Sequence, residues 1–516
     1  MKHRVIYIAL SVTVLVAFFL RFFSLGGIPN GLDWDEASLG WNAYSLLKTG
    51  TDEYGTHFPI SIRSFNDYKP PAYVYGAIPA ILIFGLNEFV VRLPSAVAGT
   101  LTVFLTFFLV LELTKLKNFS SGDKKLAVLA TLLLAVSPWH IQFNRVAFEA
   151  NLSLFFFVGA VTLLVRYLNT KKFIHLLLSL IAFSMAIYSY HSARLVVPLF
   201  LAGVGLYYWR FLVQRPKIII ASVVVFSVLL FPLIRNTWRV GSLQARFDSV
   251  SIFEHGRPLT DYPAIMATDY LSHFNFDFLF LNGDGNERHH APGSGLLLLV
   301  EAPFLFLGIF SLIKKRPIWW FLVVWWFLSA PVASSLTRDV PHAVRSLLFL
   351  PTFQIFTAYG IVNFCQSFKY RKIAMVGISL LFIFNTYSYL DSYFIHGPYE
   401  FAKSFQFGYK QMVKSVLQRE DNYDRVIITT QYDQPYIYFL FYGRVDPVVK
   451  NNGYFAQAFD KYKFENYSQD LLEESRRLNT RDLFVLGSKD DLKGLRVLDT
   501  IKFPDGSIAF TIATKL

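Results

Sequence analysis

The chain has 516 residues, of which 54% are hydrophobic and 17% aromatic, while only 16% are charged. This composition excludes an ordinary soluble domain and predicts a polytopic α-helical membrane protein. The formal net charge of +13 is dispersed between apolar segments, so it does not indicate a nucleic-acid-binding surface.

Eleven apolar segments are predicted to span the membrane, because each approaches the length needed to cross a hydrocarbon core of roughly 30 Å. The first follows Lys2 and Arg4 and is interpreted as a retained helix, since no small-residue cleavage site follows it. The single cysteine, Cys365, falls within the tenth, so the outer parts are predicted to contain no disulfide or cysteine-based metal site. The predicted spans are about 5–25, 90–112, 127–143, 151–168, 173–190, 194–209, 217–234, 294–313, 317–333, 345–366 and 373–391.

The distribution of cations between these spans predicts their orientation. Six connecting segments carry eighteen Lys and Arg against one acid, Asp123, and alternate with segments that lack this excess. By the positive-inside rule, the cationic segments face the cytoplasm. The remaining segments, and the tail from residue 393, are therefore expected to be extracytoplasmic. The cationic segments are 1–4, 114–125, 166–172, 209–217, 314–316 and 369–372, and the outer ones are 26–89, 144–150, 191–193, 235–293, 334–344 and 393–516.

The predicted domains are a transmembrane domain, 1–392, with a catalytic outer loop at about 26–89 and a large outer loop at about 235–293, and a small α/β domain, 393–516. Apolar residues at helical spacing from Ala37 to Leu47 predict a surface helix in the first loop. The tail combines strand-like "RVIITT" (425–430) and "LFVLGS" (483–488) with helical candidates near 401–419 and 434–442. A terminal hairpin is predicted around "FPDGSIAF".

The stretch "GLDWDEASLGWNAY" (31–44) places three carboxylates, Asp33, Asp35 and Glu36, within four residues at the start of the predicted surface helix. Helix capping explains such acids, since the first turn favours negative charge. The same loop also holds Lys69, which precedes two prolines that favour an extended backbone, and Arg92 at the next span. A carboxylate base and cations within one loop suggest a catalytic site as the alternative.

The order of these motifs resembles that of the C-type (GT-C) membrane glycosyltransferases. Within that class it is similar to the bacterial protein O-mannosyltransferase and lipid A aminoarabinose transferase-like group, glycosyltransferase family 39. The resemblance spans roughly residues 1–395. It rests on Asp-Glu after the first span, Lys-Pro-Pro, "NEFVVRLPS" (87–95), "SPWHIQFNRVAFEA" (137–150), "YSYHSARLVVPL" (188–199), "DFLFLNGDGNERHHAPGSG" (277–295) and "DVPHAVRSLLFLP" (339–351).

The resemblance implies transfer of a sugar from a polyprenyl-phosphate donor to a lipid, glycan or protein acceptor on the outer side of the membrane, as in cell-envelope glycosylation. Glycosyl transfer needs a base for the incoming hydroxyl and stabilisation of the departing phosphate. By the resemblance, Asp35 or Glu36 is the acidic catalytic position, with Asp35 favoured. The candidates for binding the donor phosphate are Lys69, Arg145, Arg194 and Arg345.

Each candidate has a plainer structural interpretation. Arg145 and Arg194 lie at span ends, where interfacial anchoring is an equal alternative, and Arg92 is interpreted as an interfacial partner of Glu88. Further candidates for substrate contacts, each with turn formation or solvation as the alternative, are Asp67, His191, His289, His290 and His342.

No nucleotide cofactor is expected, because "GDGNER" (283–288) lacks the spacing of a phosphate-binding loop. Asp284, Glu287, His289 and His290 are an alternative site for a divalent metal ion, against solvation of a polar loop. Two other functions fit the membrane character: a transporter or flippase of lipid-linked saccharides, and an inactive glycan-binding relative. A transporter is expected to show repeated halves and ionisable residues within its spans. The observed candidates cluster at outer span ends, which favours the enzyme.

Overall fold

The computed structural model of the protein describes residues 3–65, 67–116, 121–241, 249–253, 257–447 and 458–516. Within them the chain is mainly helical, with short strands in the first predicted loop and in the tail. The helices of the first 400 residues are α1 (His3–Phe22), α2 (Trp34–Thr49), α3 (Ala72–Phe84), α4 (Glu88–Lys115), α5 (Ser121–Ala135), α6 (Pro138–Asn144), α7 (Glu149–Thr170), α8 (Phe173–Ser189), α9 (Ala193–Tyr207), α10 (Trp209–Val213), α11 (Pro216–Val240), α12 (Tyr262–Ser272), α13 (Glu301–Lys315), α14 (Trp320–Ser329), α15 (Thr352–Ser367), α16 (Arg371–Asp391) and α17 (Gly397–Glu400).

The remaining elements lie mostly in the tail. Its helices are α18 (Tyr409–Leu417), α19 (Pro435–Tyr442) and α20 (Gln469–Leu478). The strands are β1 (Ile62–Ser64), β2 (Asp67–Lys69), β3 (Arg425–Ile428), β4 (Ala458–Phe459), β5 (Tyr462–Phe464), β6 (Asp482–Leu486), β7 (Leu495–Lys502) and β8 (Ile508–Lys515). Short 3-10 helices occur at Ser334–Leu336, Leu347–Phe349 and Glu420–Asn422, and π-helical turns at Asp277–Leu281 and Ser392–His396.

Six helices of the described residues are long and apolar enough to cross a membrane, and a bent pair of helices raises this to seven. The chain is therefore a multi-pass membrane protein, as predicted. Each of the eleven predicted spans contains helix, but α8, α9, α13 and α14 are shorter than the six, so the count of eleven stays a prediction. The predicted third span is not one straight helix, because α5 and α6 meet at 55°. Pro138 is the first residue of α6, and a proline disfavours the helical conformation of the residue that precedes it. This explains why α5 does not continue directly into α6.

The chain divides into two compact units, each described here by itself. Unit 1 consists of Met1–Phe23, Tyr68–Tyr73 and Ser95–Tyr393. In this unit α13 and α15 pack closely through Gly308 and Gly360, since a Cβ atom on Gly308 would lie 1.9 Å from the carbonyl oxygen of Phe356. Small residues of this kind allow membrane helices to approach each other.

Unit 2 consists of Ser24–Asp67, Val74–Pro94 and Phe394–Leu516. Its central element is a six-stranded mixed sheet in the order β4-β5-β3-β6-β8-β7, in which β3 is parallel to both β5 and β6. The predicted strands at 425–430 and 483–488 are β3 and β6, and the predicted terminal hairpin is β7 and β8. Both β3 and β6 are almost entirely buried, which explains their continuous apolar runs.

The predicted helix at 434–442 is α19, and the one near 401–419 is limited to α18. Helix α19 packs against α2 within unit 2. Two of its tyrosine hydroxyls donate to residues between α1 and α3: Tyr436 to Glu53 Oε1 at 2.5 Å and Tyr438 to the carbonyl oxygen of Leu32 at 3.0 Å. Parts of the first loop and of the tail therefore share one core, so the contact-based division differs from the sequence-based domains 1–392 and 393–516.

Candidate active site

Two of the three clustered acids in unit 2 fix the beginning of α2. Asp33 is the N-cap, and its Oδ1 accepts a hydrogen bond from the backbone N–H of Glu36 at 2.8 Å. Glu36 Oε2 accepts in return from the N–H of Asp33 at 3.4 Å. This reciprocal capping box satisfies two N–H groups that the helix itself cannot pair. The capping interpretation of the sequence therefore holds for Asp33 and Glu36.

Glu36 is also the partner of a buried arginine. Arg92 Nε donates to Glu36 Oε1 and Arg92 Nη2 to Glu36 Oε2, each at 2.8 Å. The guanidinium also donates to the carbonyl oxygens of Leu25, at 3.1 Å, Pro29, at 2.8 Å, and Gly31. Both charged side chains are at most 1% exposed. Arg92 thus holds the chain from residue 25 to residue 36, which makes it a positioning residue for the start of α2.

The sequence favours an interfacial ion pair between Arg92 and Glu88. In the structure Glu88 Oε1 receives Lys410 Nζ at 2.6 Å, while Arg92 forms the bidentate pair with Glu36. The i,i+4 spacing of Glu88 and Arg92 is a local signal, whereas Glu36 lies 56 residues away in the sequence. Only a three-dimensional structure reveals the longer-range pair.

Asp35 is the third acid of the cluster and lies in the first turn of α2. Its side chain is partly exposed, in contrast to the buried side chains of Asp33 and Glu36. It belongs neither to the capping box nor to the bidentate pair. Asp35 thus differs from Asp33 and Glu36 in its exposure and in lying outside both of these arrangements.

Unit 1 contains a pocket with two of the predicted phosphate-binding cations. Arg194 lies in the first turn of α9 and Arg345 precedes the short helix Leu347–Phe349. Arg345 Nη1 donates to Thr337 Oγ1 at 2.8 Å and to the carbonyl oxygen of Arg338 at 2.5 Å, which fixes its orientation. The cavity measures about 300 Å³ and is lined by Tyr190, His191, Ser192, Arg194, Leu195, Val250, Ser251, Phe253, Ala333, Leu336, Thr337 and Arg345.

His191 connects this pocket to the segment that carries Lys69. Its Nε2 lies 2.9 Å from the carbonyl oxygen of Tyr68, the residue immediately before Lys69. Both residues belong to unit 1. The predicted Lys69, Arg194 and His191 are thereby brought close in the fold although 122 or more residues separate Lys69 from the other two in the sequence. Asp67, another predicted candidate, begins β2 and is assigned to unit 2.

Arg145 occupies a different environment. Its guanidinium donates to the carbonyl oxygens of Leu20, at 2.9 Å, and Phe23, at 2.8 Å, and to the hydroxyl of Tyr393 at 3.2 Å. The side chain is fully buried. These bonds satisfy carbonyl groups at the end of α1, so the geometry favours the anchoring alternative for this residue over direct contact with a phosphate.

The sequence interpretation overlooked Arg21. This arginine lies in the first predicted span, is fully buried and donates to Asn144 Oδ1 at 2.9 Å, while its Nη2 lies 2.7 Å from His140 Nδ1. An arginine within an apolar run is costly to bury and is therefore a signal that was available from the sequence. Its hydrogen bonds indicate a structural role in unit 1.

The predicted polar loop of unit 1 brings one carboxylate and two imidazoles together. Asp284 Oδ2 accepts from the N–H of Ala343 at 2.7 Å and lies 2.7 Å from His289 Nδ1. Burial alone would raise the pKa of Asp284, but His289 and the N–H of Ala343 lower this pKa to about 2. Burial lowers the pKa of His289 and holds that of His342 well below its ordinary value. The centroids of these two rings are 5.0 Å apart.

The ring nitrogens of His290 contact backbone carbonyl oxygens, unlike Nδ1 of the adjacent His289, which contacts the Asp284 carboxylate. Its Nδ1 lies 3.1 Å from the carbonyl oxygen of Ala291, and its Nε2 lies 3.1 Å from the carbonyl oxygen of Asp284. The group of metal-ligand types found among the described residues consists of Asp284, His289 and His342. This group shares Asp284 and His289 with the metal site predicted from the loop sequence. It contains His342 in place of Glu287 and His290.

Comparison of the whole chain with known structures identifies its fold. The crystal structures of ArnT from Cupriavidus metallidurans, in the apo state and bound to undecaprenyl phosphate, both match with a TM-score of 0.58 and 11% identity. They cover 98% of this chain, and 97% and 98% of theirs. Archaeoglobus fulgidus AglB, an archaeal oligosaccharyltransferase in complex with an inhibitory peptide and a dolichol-phosphate, matches with a TM-score of 0.53 and 12% identity. That match covers 98% of this chain and 74% of AglB. The chain has the fold of the C-type (GT-C) membrane glycosyltransferases.

Sequence comparison agrees with this fold. Residues 68–234 match the family described as dolichyl-phosphate-mannose-protein mannosyltransferase. An uncharacterized protein of Aquifex aeolicus (strain VF5) is 31% identical over 202 residues, which are 38% of this chain and 36% of that relative. The alignment thus spans only about a third of the relative's length. The predicted resemblance to mannosyltransferase-like GT-C proteins is confirmed by the fold and the family match together.

Proposed function

We propose that the protein transfers a sugar from a polyprenyl-phosphate donor to a lipid, glycan or protein acceptor on the outer side of the cytoplasmic membrane. The observation that carries this proposal is the pocket of unit 1, where Arg194 and Arg345 line a cavity of about 300 Å³. That volume lies at the lower end of the range for small-molecule sites, roughly 300–1,000 Å³. Planar guanidinium groups bind phosphate oxygens through two N–H donors, which suits them to the head of a lipid phosphate.

The comparisons support the same class of donor. ArnT was crystallised with undecaprenyl phosphate and AglB was solved with a dolichol-phosphate, so two proteins with this fold bind polyprenyl phosphates. Donors linked to a lipid are also reasonable for a site predicted to face outward, because nucleotide sugars are cytoplasmic. The outward orientation is itself part of the proposal and rests on the cationic segments described above.

Proton transfer is assigned to Asp35. In the proposed reaction the acceptor hydroxyl attacks the anomeric carbon of the sugar, and its proton passes to the Asp35 carboxylate. The bond between the anomeric carbon and the phosphate oxygen breaks, and polyprenyl phosphate leaves with the bonding electrons. Glu36 is less suited to this role because Arg92 binds both of its oxygens. Both oxygens of that carboxylate already accept charge-assisted hydrogen bonds, so a proton from the acceptor would have to compete with the guanidinium.

Arg194 and Arg345, together with Lys69 as a third cation, are assigned to stabilise the negative charge that develops on the leaving phosphate. Stabilising charge that increases in the transition state accelerates the chemical step. His191 is proposed as a positioning residue for Lys69 through its contact with Tyr68. Arg145 is proposed to act indirectly, by fixing the end of α1.

The experiment that tests this proposal supplies membranes containing the protein with a panel of radiolabelled polyprenyl-phosphate sugars. We expect the label from one donor to appear in an acceptor fraction and polyprenyl phosphate to be released in equal amount. Asp35→Asn protein serves as the inactive control. Movement of the intact labelled lipid across a proteoliposome membrane, without release of polyprenyl phosphate, would instead indicate the transporter alternative.

A further inference from the structure

The outer loops of unit 1 contain a group of side chains that the proposed transfer reaction does not use. Asp284 and His289 come from the loop around residue 285, and His342 comes from the segment before α15. One ligand atom from each of these residues lies within 4.8 Å of the other two. Asp284 and His289 are buried, with 9% and 3% exposure, whereas simple solvation predicts exposed side chains.

We propose that Asp284, His289 and His342 bind a divalent transition-metal ion, of which Zn²⁺ is the best match. Two imidazole nitrogens and one carboxylate oxygen form the mixed donor set that zinc prefers. Zinc bonds to nitrogen and oxygen are about 2.0–2.2 Å long, so two ligand atoms in a tetrahedral site are roughly 3.4 Å apart. Asp284 Oδ2 and His289 Nδ1 are 2.7 Å apart, and no two of the three ligand atoms are more than 4.8 Å apart. Shifts of less than about 1.5 Å would therefore bring the three atoms to the separations of a tetrahedral site.

The surroundings support three protein ligands and one open position. Phe143 and Phe148 lie beside the His289 ring, at 5.5 and 5.9 Å between centroids, and shield it from water. Asp284 Oδ2 also accepts a hydrogen bond from the N–H of Ala343. Carboxylates that bind metal ions are commonly oriented by hydrogen bonds of this kind. With three protein ligands, a tetrahedral zinc ion would take its fourth ligand from water or from an oxygen of a bound molecule.

The metal ion would connect two segments that are far apart in the sequence. His342 lies three residues before Arg345, which lines the pocket described above. Binding of the ion would therefore restrict the backbone that carries Arg345. The metal site itself does not depend on the proposed transferase activity, because its ligands and its geometry are independent of the reaction.

The plainer alternative is a hydrogen-bonded Asp–His pair that needs no ion. His289→Asn distinguishes the two, because the Asn side-chain N–H can still donate to Asp284 but is a poor zinc ligand. His290→Gln is a matched control from the same loop, since both ring nitrogens of His290 face backbone carbonyl oxygens. His342→Asn tests the ligand from the second segment.

The test uses the full chain, purified in detergent with an affinity tag that contains no histidine. The protein is treated with a chelator, equilibrated with Zn²⁺, passed through a desalting column and measured for zinc by mass spectrometry. We expect about one zinc per chain in the unmodified protein and in His290→Gln, and at least a tenfold lower content in folded His289→Asn and His342→Asn. Zinc should also raise the melting temperature of the unmodified protein.

Two results would overturn the proposal. Folded unmodified protein that retains no zinc after equilibration would show that the ion is not bound. Equal zinc content in the unmodified protein, His289→Asn and His342→Asn would place bound zinc elsewhere. Transferase activity enters neither measurement, so a failure of the proposed function leaves this test intact.

Discussion

The roles of Asp35 and Glu36 can be separated by two isosteric substitutions. Asp35→Asn removes a partly exposed carboxylate that lies outside both the capping box and the Arg92 pair. Asparagine has the same size as aspartate, and the lost negative charge near a helix N-terminus typically stabilises by only about 0.3–1 kcal/mol, so we expect folded and inserted protein. It cannot accept a proton as a carboxylate does. The expected loss in transfer rate is therefore at least about a hundredfold, the lower end of general-base catalysis.

Glu36→Gln is expected to act on folding instead. The substitution replaces the acceptor of two 2.8 Å bonds and leaves the charge of Arg92 in a site where it is fully buried. Breaking one side of a buried ion pair typically costs about 3–5 kcal/mol. That is a large part of a total stability of about 5–15 kcal/mol for an ordinary domain. We therefore expect much less folded Glu36→Gln protein, with each folded molecule retaining donor binding.

The assay combines size-exclusion chromatography in detergent, donor binding and initial transfer rate per folded molecule. The expected pattern is folded and inactive for Asp35→Asn, and poorly folded for Glu36→Gln. The reverse pattern, in which Asp35→Asn keeps nearly the parent rate while fully folded Glu36→Gln is inactive, would identify Glu36 as the base. Activity near the parent rate in both would refute a catalytic role for this acidic stretch.

Three further predictions concern the pocket, the topology and the pH dependence. Arg194→Gln and Arg345→Gln should each weaken binding of polyprenyl phosphate by about 1.5–3 kcal/mol, which is roughly 10- to 150-fold in an affinity measured by isothermal titration. Unchanged affinity would contradict phosphate binding by the substituted residue. Arg210 is exposed and lies outside the pocket, so Arg210→Gln should bind polyprenyl phosphate normally. A reporter fused after Leu516 should be extracytoplasmic, and a cytoplasmic signal from the full-length product would disprove the predicted orientation. Burial raises the pKa of Asp52, so the folded state holds this proton more tightly and the free energy of unfolding should fall as pH rises from the ordinary pKa of about 4 to the raised one. Chemical denaturation of Asp52→Asn should lack that part of the pH dependence, and an unchanged profile would exclude Asp52 as its source.

Local patterns predicted much of the secondary structure. The helix α2, the strands β3 and β6 and the terminal hairpin all follow from short-range signals: a capping residue, continuous apolar runs and a turn sequence. The predicted location of α2 at the surface is not observed, because most of its residues from Glu36 to Leu46 are buried. The hairpin turn is one example. Gly506 has φ of +83°, a conformation that glycine adopts without strain, in the predicted "FPDGSIAF" turn.

Long-range contacts could not be predicted in the same way. The bidentate pair of Glu36 and Arg92 joins residues 56 positions apart, and the bond from Tyr436 to Glu53 joins residues 383 apart. Hydrophobic periodicity indicates which face of an element is buried but not which partner covers it. For the same reason His342 was missing from the predicted metal group, since it lies 53 residues beyond His289.

The resemblance to a known family carried the prediction of the site beyond what the residues alone support. Motif order placed Arg194 and Arg345 among the phosphate candidates, and the structure brings both to one pocket. Arg145 belongs to an equally convincing motif but donates to the carbonyl groups at the end of α1. A motif thus indicates that a residue matters, whereas its hydrogen bonds indicate how.

The contact of α19 with α2 and with Leu32 also determines when the segment around α2 can complete its folding during protein synthesis. The hydroxyl of Tyr438 bonds to the carbonyl oxygen of Leu32, which leaves the ribosome 406 residues earlier. At about 5–20 residues per second, this interval lasts roughly 20–80 s. Throughout that time the helix bearing Asp35 exists without its α19 neighbour. A ribosome that stalls before residue 435 would therefore leave a chain whose helix α2 lacks the neighbour that covers it in the complete protein.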